Sequence, residues 1–203
     1  MPRRYLILMM LISAVATAAD DPGGWSKAKW GMTEQQILAA FGHEAVRLNP
    51  PEPIGSSAED IDKAEEAKYK MDVFIASVKH EPPPPKPDPS HRPAPTQVLC
   101  RVAVPVELAQ TKFRALMIPD TAGRLASVLL SPVNDADSTD SLFDTLEQLL
   151  VQKYGRPWST TDSSSVERQW TSGQTVVTLL RLHGLTGTYV TIHYTHKTGL
   201  DKL

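Results

Sequence analysis

Residues 138–157, STDSLFDTLEQLLVQKYGRP, form the longest clean amphipathic pattern in the chain. The apolar side chains recur at helical spacing and share one face: Leu142, Phe143, Leu146, Leu149, Leu150 and Tyr154. Residues 138–141 each offer an N-cap, Gly155 suits the left-handed position after a helix, and Pro157 prevents continuation. The pattern predicts a helix of about four turns.

Outward from this helix, the N-terminus has the pattern of an export signal. Arg3 and Arg4 precede an apolar run from Tyr5 to about Val15, and Ala16, Thr17 and Ala18 form a small-x-small cleavage site. The run falls short of the about 20 apolar residues that a membrane-spanning helix needs. We therefore interpret residues 1–18 as a cleaved signal peptide and residues 19–203 as a single mature domain; an uncleaved N-terminal anchor is the alternative. The short n-region is typical of bacteria and predicts a periplasmic protein.

Net charge and cysteine content indicate which kinds of partner and modification the chain can have. The 203 residues carry a formal charge of −2, and cleavage of the signal would remove Arg3 and Arg4. No basic cluster indicates a nucleic-acid partner. Cys100 is the only cysteine, and none directly follows the apolar run, so the sequence does not predict a lipoprotein. We expect a buried, inert thiol at Cys100, with a redox or intermolecular role as the alternative.

A second helix is predicted from Glu34 to Phe41. Thr33 and Gln36 form a capping box, in which each side chain satisfies a backbone N–H of the other residue, and Gly42 follows as the stop. Between about His43 and Ser57 the prolines predict a loop. Residues 56–68 favour a surface helix, and the alternation of Tyr69, Met71, Val73 and Ile75 predicts a strand at 69–78.

The remaining patterns alternate like strands of an antiparallel sheet. They cover residues 97–104, 112–118, 123–130, 166–170, 175–182 and 188–195, with a polar loop at 159–165. The last three strands form a meander that the helix of 138–157 crosses. The predicted fold class is α+β: antiparallel sheet packed by two amphipathic helices, arranged as two related halves that share one sheet or pack together.

A proline-rich segment at 81–96, EPPPPKPDPSHRPAPT, is incompatible with helix or strand. We interpret it as a polyproline II loop inserted between strands 69–78 and 97–104. The alternatives are a ligand for an aromatic groove and a semi-rigid spacer.

Titratable and nucleophilic residues do not form a recognised catalytic pattern. The histidines stand at 43, 80, 91, 183, 193 and 196, and on a strand His193 and His196 face opposite sides, so they do not form a metal pair. The serine run 163–165 lacks a nucleophile elbow. Two acid pairs lie in polar segments where large pKa shifts are not expected: Glu65 with Glu66, and Asp135 with Asp137. We predict no catalytic residue, no metal and no cofactor.

The four tryptophans are the remaining candidates for a binding site. Trp25 and Trp30 flank the first predicted helix, Trp158 follows the second, and Trp170 lies in a strand. Large rings act as interface anchors, but they are also common core material, and we favour the core.

Three motifs together resemble those of exported bacterial proteins of unknown function. They are Trp30-Gly31-Met32-Thr33 opening the first helix, the "F…GRL…V" pattern of Phe113, Gly123–Leu125 and Val128, and the closing "KYG-x-P…W…T…Y" pattern from Lys153 to Tyr194. The first helix and the sheet after it are also similar, more loosely, to the small accessory lipoprotein of the outer-membrane barrel assembly machinery. This chain departs from that lipoprotein in length and in lacking the lipid-bearing cysteine. The resemblance brings no catalytic residues.

The sequence thus predicts a periplasmic protein that binds an unknown protein or envelope component. Two alternatives stay open: a periplasmic hydrolase whose site is assembled only in three dimensions, and a structural spacer built on the proline segment.

Overall fold

The computed structural model describes residues 23–55, 57–88, 97–162, 164–184 and 187–197. The predicted signal peptide at 1–18 and His91 lie outside these ranges. The described residues fall into two compact units, one within Met1–Pro50 and Cys100–Leu203 and the other within Pro51–Leu99.

The described residues form three α-helices: α1 at Glu34–Phe41, α2 at Ala58–Lys79 and α3 at Asp140–Tyr154. The predicted capping box of α1 forms between Thr33 and Gln36. In α3, Thr139 is the N-cap and accepts a hydrogen bond from the Leu142 amide, and Gly155 follows the helix at φ +82°. Both helices that the sequence marked most clearly are therefore confirmed.

Within the ranges that the structure describes, ten strands accompany the helices. In chain order they are β1 Gly24–Trp25, β2 Ala28–Lys29, β3 Val46–Ile54, β4 Val98–Leu108, β5 Thr111–Pro119, β6 Leu125–Pro132, β7 Trp158–Thr161, β8 Ser165–Ser172, β9 Thr175–Gly184 and β10 Gly187–His196. β1 and β2 pair with each other, and the other eight form one sheet in the order β3-β4-β5-β6-β10-β9-β8-β7.

This strand order divides the sheet into two halves of equal topology. In each half a helix precedes four strands, and the strands run in sequence order from the edge of the sheet to its centre. The halves meet where β6 and β10 pair antiparallel, with Val128 opposite Tyr194 and Leu130 opposite Ile192. The α+β class is confirmed, and of the two arrangements that the sequence left open, the halves share one sheet.

The core lies between one face of this sheet and helices α1 and α3. Ile37 and Phe41 of α1 belong to the same buried cluster as Phe143 and Leu146 of α3. The sheet contributes every second residue of its strands, such as Val177 and Leu179 of β9 and Val190 and Ile192 of β10. We call the opposite side of the sheet the outer face.

The motif before α1 is joined to the β5–β6 turn. The Gly31 amide donates to the Leu125 carbonyl at 2.9 Å, the Leu125 amide donates to the Met32 carbonyl at 2.8 Å, and Arg124 reaches the Gly31 carbonyl. Residues 30–33 and 123–125, which the sequence presents as separate motifs, therefore form one contact.

The strand predicted at 69–78 is wrong, and with it the position given to the proline segment. Residues 69–78 belong to α2, not to a strand: Tyr69 and Val73 lie on one side of this helix and Met71 and Ile75 on another, which produces the alternation of a strand. The helix predicted at 56–68 is the first part of α2. The proline segment consequently does not join two strands; residues 81–88 are neither helix nor strand, as predicted, and residues 89–96 lie outside the described ranges.

The predicted loops at 43–57 and 159–165 each contain a strand. β3 includes Pro50, Pro51 and Pro53 and lies at an edge of the sheet, where a missing backbone donor is tolerated. Its Asn49–Pro50 peptide is cis. At the other edge, the four residues of β7 are too short and too polar to give an alternating pattern. None of the helices in the described part of the chain is both long and apolar enough to span a bilayer.

Candidate functional site: the outer face of the sheet

The register of the strands places a mixed row of side chains across the outer face. His193 of β10 lies opposite Leu129 of β6 on one side and Thr178 of β9 on the other. The row continues through Gln169 of β8 to Trp158 of β7. Neighbouring strands are about 4.8 Å apart, so these five side chains span roughly 20 Å.

Two further rows lie beside the first on β8, β9 and β10. One holds Thr191, Leu180 and Glu167, and beyond it Tyr189 pairs with Leu182. Tyr189 and Leu182 are each 41% exposed, and Trp158 is 63% exposed. Polar and apolar side chains are thus mixed across these rows, and large exposed ones stand at the rim.

His193 is the titratable group at the middle of this surface. Its burial lowers the pKa of the imidazole below the ordinary value, and its Nε2 is buried without a hydrogen-bond partner. Glu167 lies on β8, two strands and therefore about 10 Å across the sheet from β10. It pairs with Leu180, which lies opposite Thr191 and not opposite His193. The two side chains are therefore too far apart to act as an acid–base pair, and the arrangement suits hydrogen bonding better than proton transfer.

None of the other described histidines belongs to this row. His196 stacks on Trp30 on the helix side of the sheet, with ring centroids 5.9 Å apart, so His193 and His196 face opposite sides as predicted. His183 Nδ1 lies 3.2 Å from Thr188 Oγ1, His43 is exposed in a 3-10 turn at Gly42–Glu44, and His80 follows α2 at φ +57°. Among the described residues, no group of three or more His, Cys, Asp or Glu side chains is placed to hold a metal ion.

Three of the four tryptophans pack against the core, as predicted. Trp170 is 3% exposed and donates from Nε1 to the Gly155 carbonyl at 2.8 Å. Trp30 donates to Thr175 Oγ1 at 3.0 Å, and Trp25 packs between Phe41 and Tyr194. Trp158 is the exception. The sequence does not single it out, because β7 was not recognised and its facing direction is set by pairing with β8.

The serine run has a structural role where it is described. The hydroxyls of Ser164 and Ser165 and their amides donate to the carboxylate of Asp162, at distances of 2.6–3.1 Å. The hydrogen bond from the Ser165 hydroxyl and those from the two amides lower the pKa of Asp162 to about 2. This carboxylate holds the turn between β7 and β8. Ser163 lies outside the described residues.

A charged cluster fixes α3 to the sheet. Arg168 Nε donates to Glu147 at 2.6 Å, and Arg181 lies 3.1 Å from Asp140. Both guanidinium groups also lie over the ring of Phe143, at 6.0 and 4.9 Å from its centroid. Since Phe143 is buried, the cluster stabilises the packing of the helix, while the Asp140 side chain stays 61% exposed.

Cys100 and the two acid pairs are the remaining candidates from the sequence. Cys100 is buried, and its Sγ lies 3.2 and 3.3 Å from the carbonyls of Val102 and Met117. Asp135 and Asp137 are exposed in a 3-10 turn, and Glu65 and Glu66 lie on α2.

Comparison of the chain with protein-family models, with curated proteins and with solved structures gave no significant match.

Proposed function

We propose that this chain is a periplasmic envelope protein that acts by binding a protein partner on the outer face of its sheet. The observation that carries the proposal is the row from Leu129 through His193 to Trp158, bordered by Tyr189 and Leu182. Exposed aromatic side chains are typical anchors of protein interfaces, and the hydroxyl groups between them both donate and accept hydrogen bonds.

The neutral state of the central imidazole supports binding of a protein in preference to a polyanion. Burial lowers the pKa of His193, so the ring carries no positive charge at neutral pH. Glu167 is the charged residue in the rows described above. The surface therefore favours a partner that offers hydrogen bonds and apolar contacts.

The N-terminal sequence supports the periplasmic part of the proposal. Residues 1–18 have the charged, apolar and small-residue regions of a signal peptide. If the chain is exported and cleaved, the intact mass of the protein from a periplasmic fraction will correspond to a start at Ala19 or Asp20.

The binding proposal is tested by capture from a periplasmic extract of the source bacterium on immobilised protein. The test variant combines Trp158→Ala and Tyr189→Ala on the outer face. The control combines Val133→Ala and Val151→Ala, two exposed apolar residues outside the rows described above. We expect a partner whose affinity falls at least about tenfold with the test variant, the usual effect of losing an interface anchor, and is unchanged with the control.

Two results would count against the proposal. One is a partner that binds the test variant as tightly as the parent. The other is the absence of any partner, together with hydrolase activity that a single substitution abolishes; this would favour the alternative of a hydrolase.

A further inference from the structure

Helix α2 carries an apolar stripe that faces solvent. Met71, Phe74, Ile75 and Val78 follow the spacing i, i+3, i+4 and i+7, and they are 59, 64, 42 and 64% exposed. The buried Ala76 lies on a different side of the same helix. A group of exposed large apolar side chains on one helix face marks an interaction surface.

The same stripe changes character toward the start of the helix. Ala64 and Ala67 continue it, so its first half is small and its second half is bulky. If two such helices pair antiparallel, with Met71 near the two-fold axis, Ala64 of one copy meets Val78 of the other and Ala67 meets Phe74. Small side chains then lie opposite large ones, as close packing of two helices requires. A parallel pair would instead place bulky against bulky.

The charges of α2 favour the same arrangement. Residues 59–66 contain five acidic side chains and one lysine, Lys63, whereas residues 67–79 contain three lysines and only Asp72 as an acid. Antiparallel pairing brings the acidic half of each copy to the basic half of the other. Lys68 and Asp72 border the stripe on one side, and in the same antiparallel pair Lys68 of one copy lies within about one helical turn of Asp72 of the other.

We propose that α2 forms an antiparallel, two-fold symmetric pair with α2 of a second copy of this chain. Acidic side chains near the start of α2 and lysines near its end also interact favourably with the helix macrodipole. The macrodipole does not explain why the apolar stripe is exposed. An anionic membrane is a poorer occupant, because the acidic half of the helix would lie against it. This surface is distinct from the outer face, and the inference does not depend on the proposed function.

Cross-linking tests the geometry. Met71→Cys places a thiol near the axis, whereas Glu66→Cys places one on an exposed position away from the stripe. The native Cys100 is buried and does not interfere. Under mild oxidation of the mature chain we expect a covalent dimer from Met71→Cys and monomer from Glu66→Cys. Equal cross-linking of the two variants, or none from Met71→Cys, would overturn the proposal.

Charge reversal tests the pairing in solution. Sedimentation of the parent should show a reversible dimer with a dissociation constant in the micromolar range, about that of a small interface. Lys68→Asp should weaken it about tenfold or more, since it places like charges together, and Lys68→Asp with Asp72→Lys should restore it. Circular dichroism checks that α2 stays folded. A monomeric parent at about 100 µM, well above that dissociation constant, or a monomer that floats with phosphatidylglycerol vesicles, would refute the dimer.

Discussion

Replacement of Trp170 by phenylalanine tests whether the end of α3 is held by the indole. Trp170 is almost fully buried, and its Nε1 donates to the carbonyl of Gly155, the residue that follows the helix. Phenylalanine loses this hydrogen bond, which is worth about 1 kcal/mol. The few tens of Å² by which an indole exceeds a phenyl ring add about 1 kcal/mol at roughly 25 cal/mol per Å², and the residual cavity adds a similar amount. We expect Trp170→Phe to lower the free energy of unfolding by about 2–3 kcal/mol.

Trp158→Phe provides a matched control with the same chemical change. Trp158 is largely exposed, so its substitution should alter the free energy of unfolding by less than about 0.5 kcal/mol. The assay is urea unfolding followed by far-UV circular dichroism, which does not rely on tryptophan emission. At an m-value of about 2–3 kcal/mol per M, the midpoint of Trp170→Phe should fall by roughly 1 M. Equal midpoints for the two variants would refute the proposed role of the Trp170–Gly155 bond.

Two further predictions concern pH. The pKa of His193 is lower in the folded protein than in the unfolded chain, so the unfolded chain binds more protons as the pH falls below about 6.5. The free energy of unfolding should therefore decrease with falling pH in this range, by at most about 1.4 kcal/mol per pH unit. We expect His193→Gln to make this slope smaller. The pKa of Asp162 falls from 3.8 to about 2 on folding, so its turn is fully stabilised above 3.8 and loosens as the pH drops through 2. Asp162→Asn should already speed amide exchange at Ser164 and Ser165 near neutral pH, and unchanged exchange would contradict this.

The two helices of the core could be predicted from the sequence because their signals are local. Thr33 with Gln36, and Thr139 with Gly155, mark ends through hydrogen bonds within a few residues of each other. The order of helices and strands predicted the α+β class, but it left open whether the two halves share one sheet or pack together. The helix ends depend on neighbours in the chain, and they were confirmed.

The errors arose where long-range contacts decide the structure. Apolar residues on more than one side of α2 produce the same alternation as a strand. Only the tertiary contacts of residues 69–78 distinguish a helix from a strand there. The prolines of β3 exclude an interior strand but not an edge strand, and edge position is a property of the whole sheet. For the same reason the outer face was not predicted: His193, Thr178 and Trp158 come together only through the register of four strands.

In both halves of the sheet, the strands are synthesised in order from the edge of the sheet to its centre. β10, the last strand in the described part of the chain, occupies a central position between β6 and β9. Until it arrives, β6 and β9 both present bare edges, and the first half of the sheet has no link to the second across its middle. The centre of the sheet therefore closes only after β10 has been synthesised, and a nascent protein that lacks β10 will stay open to proteases and to pairing with other chains.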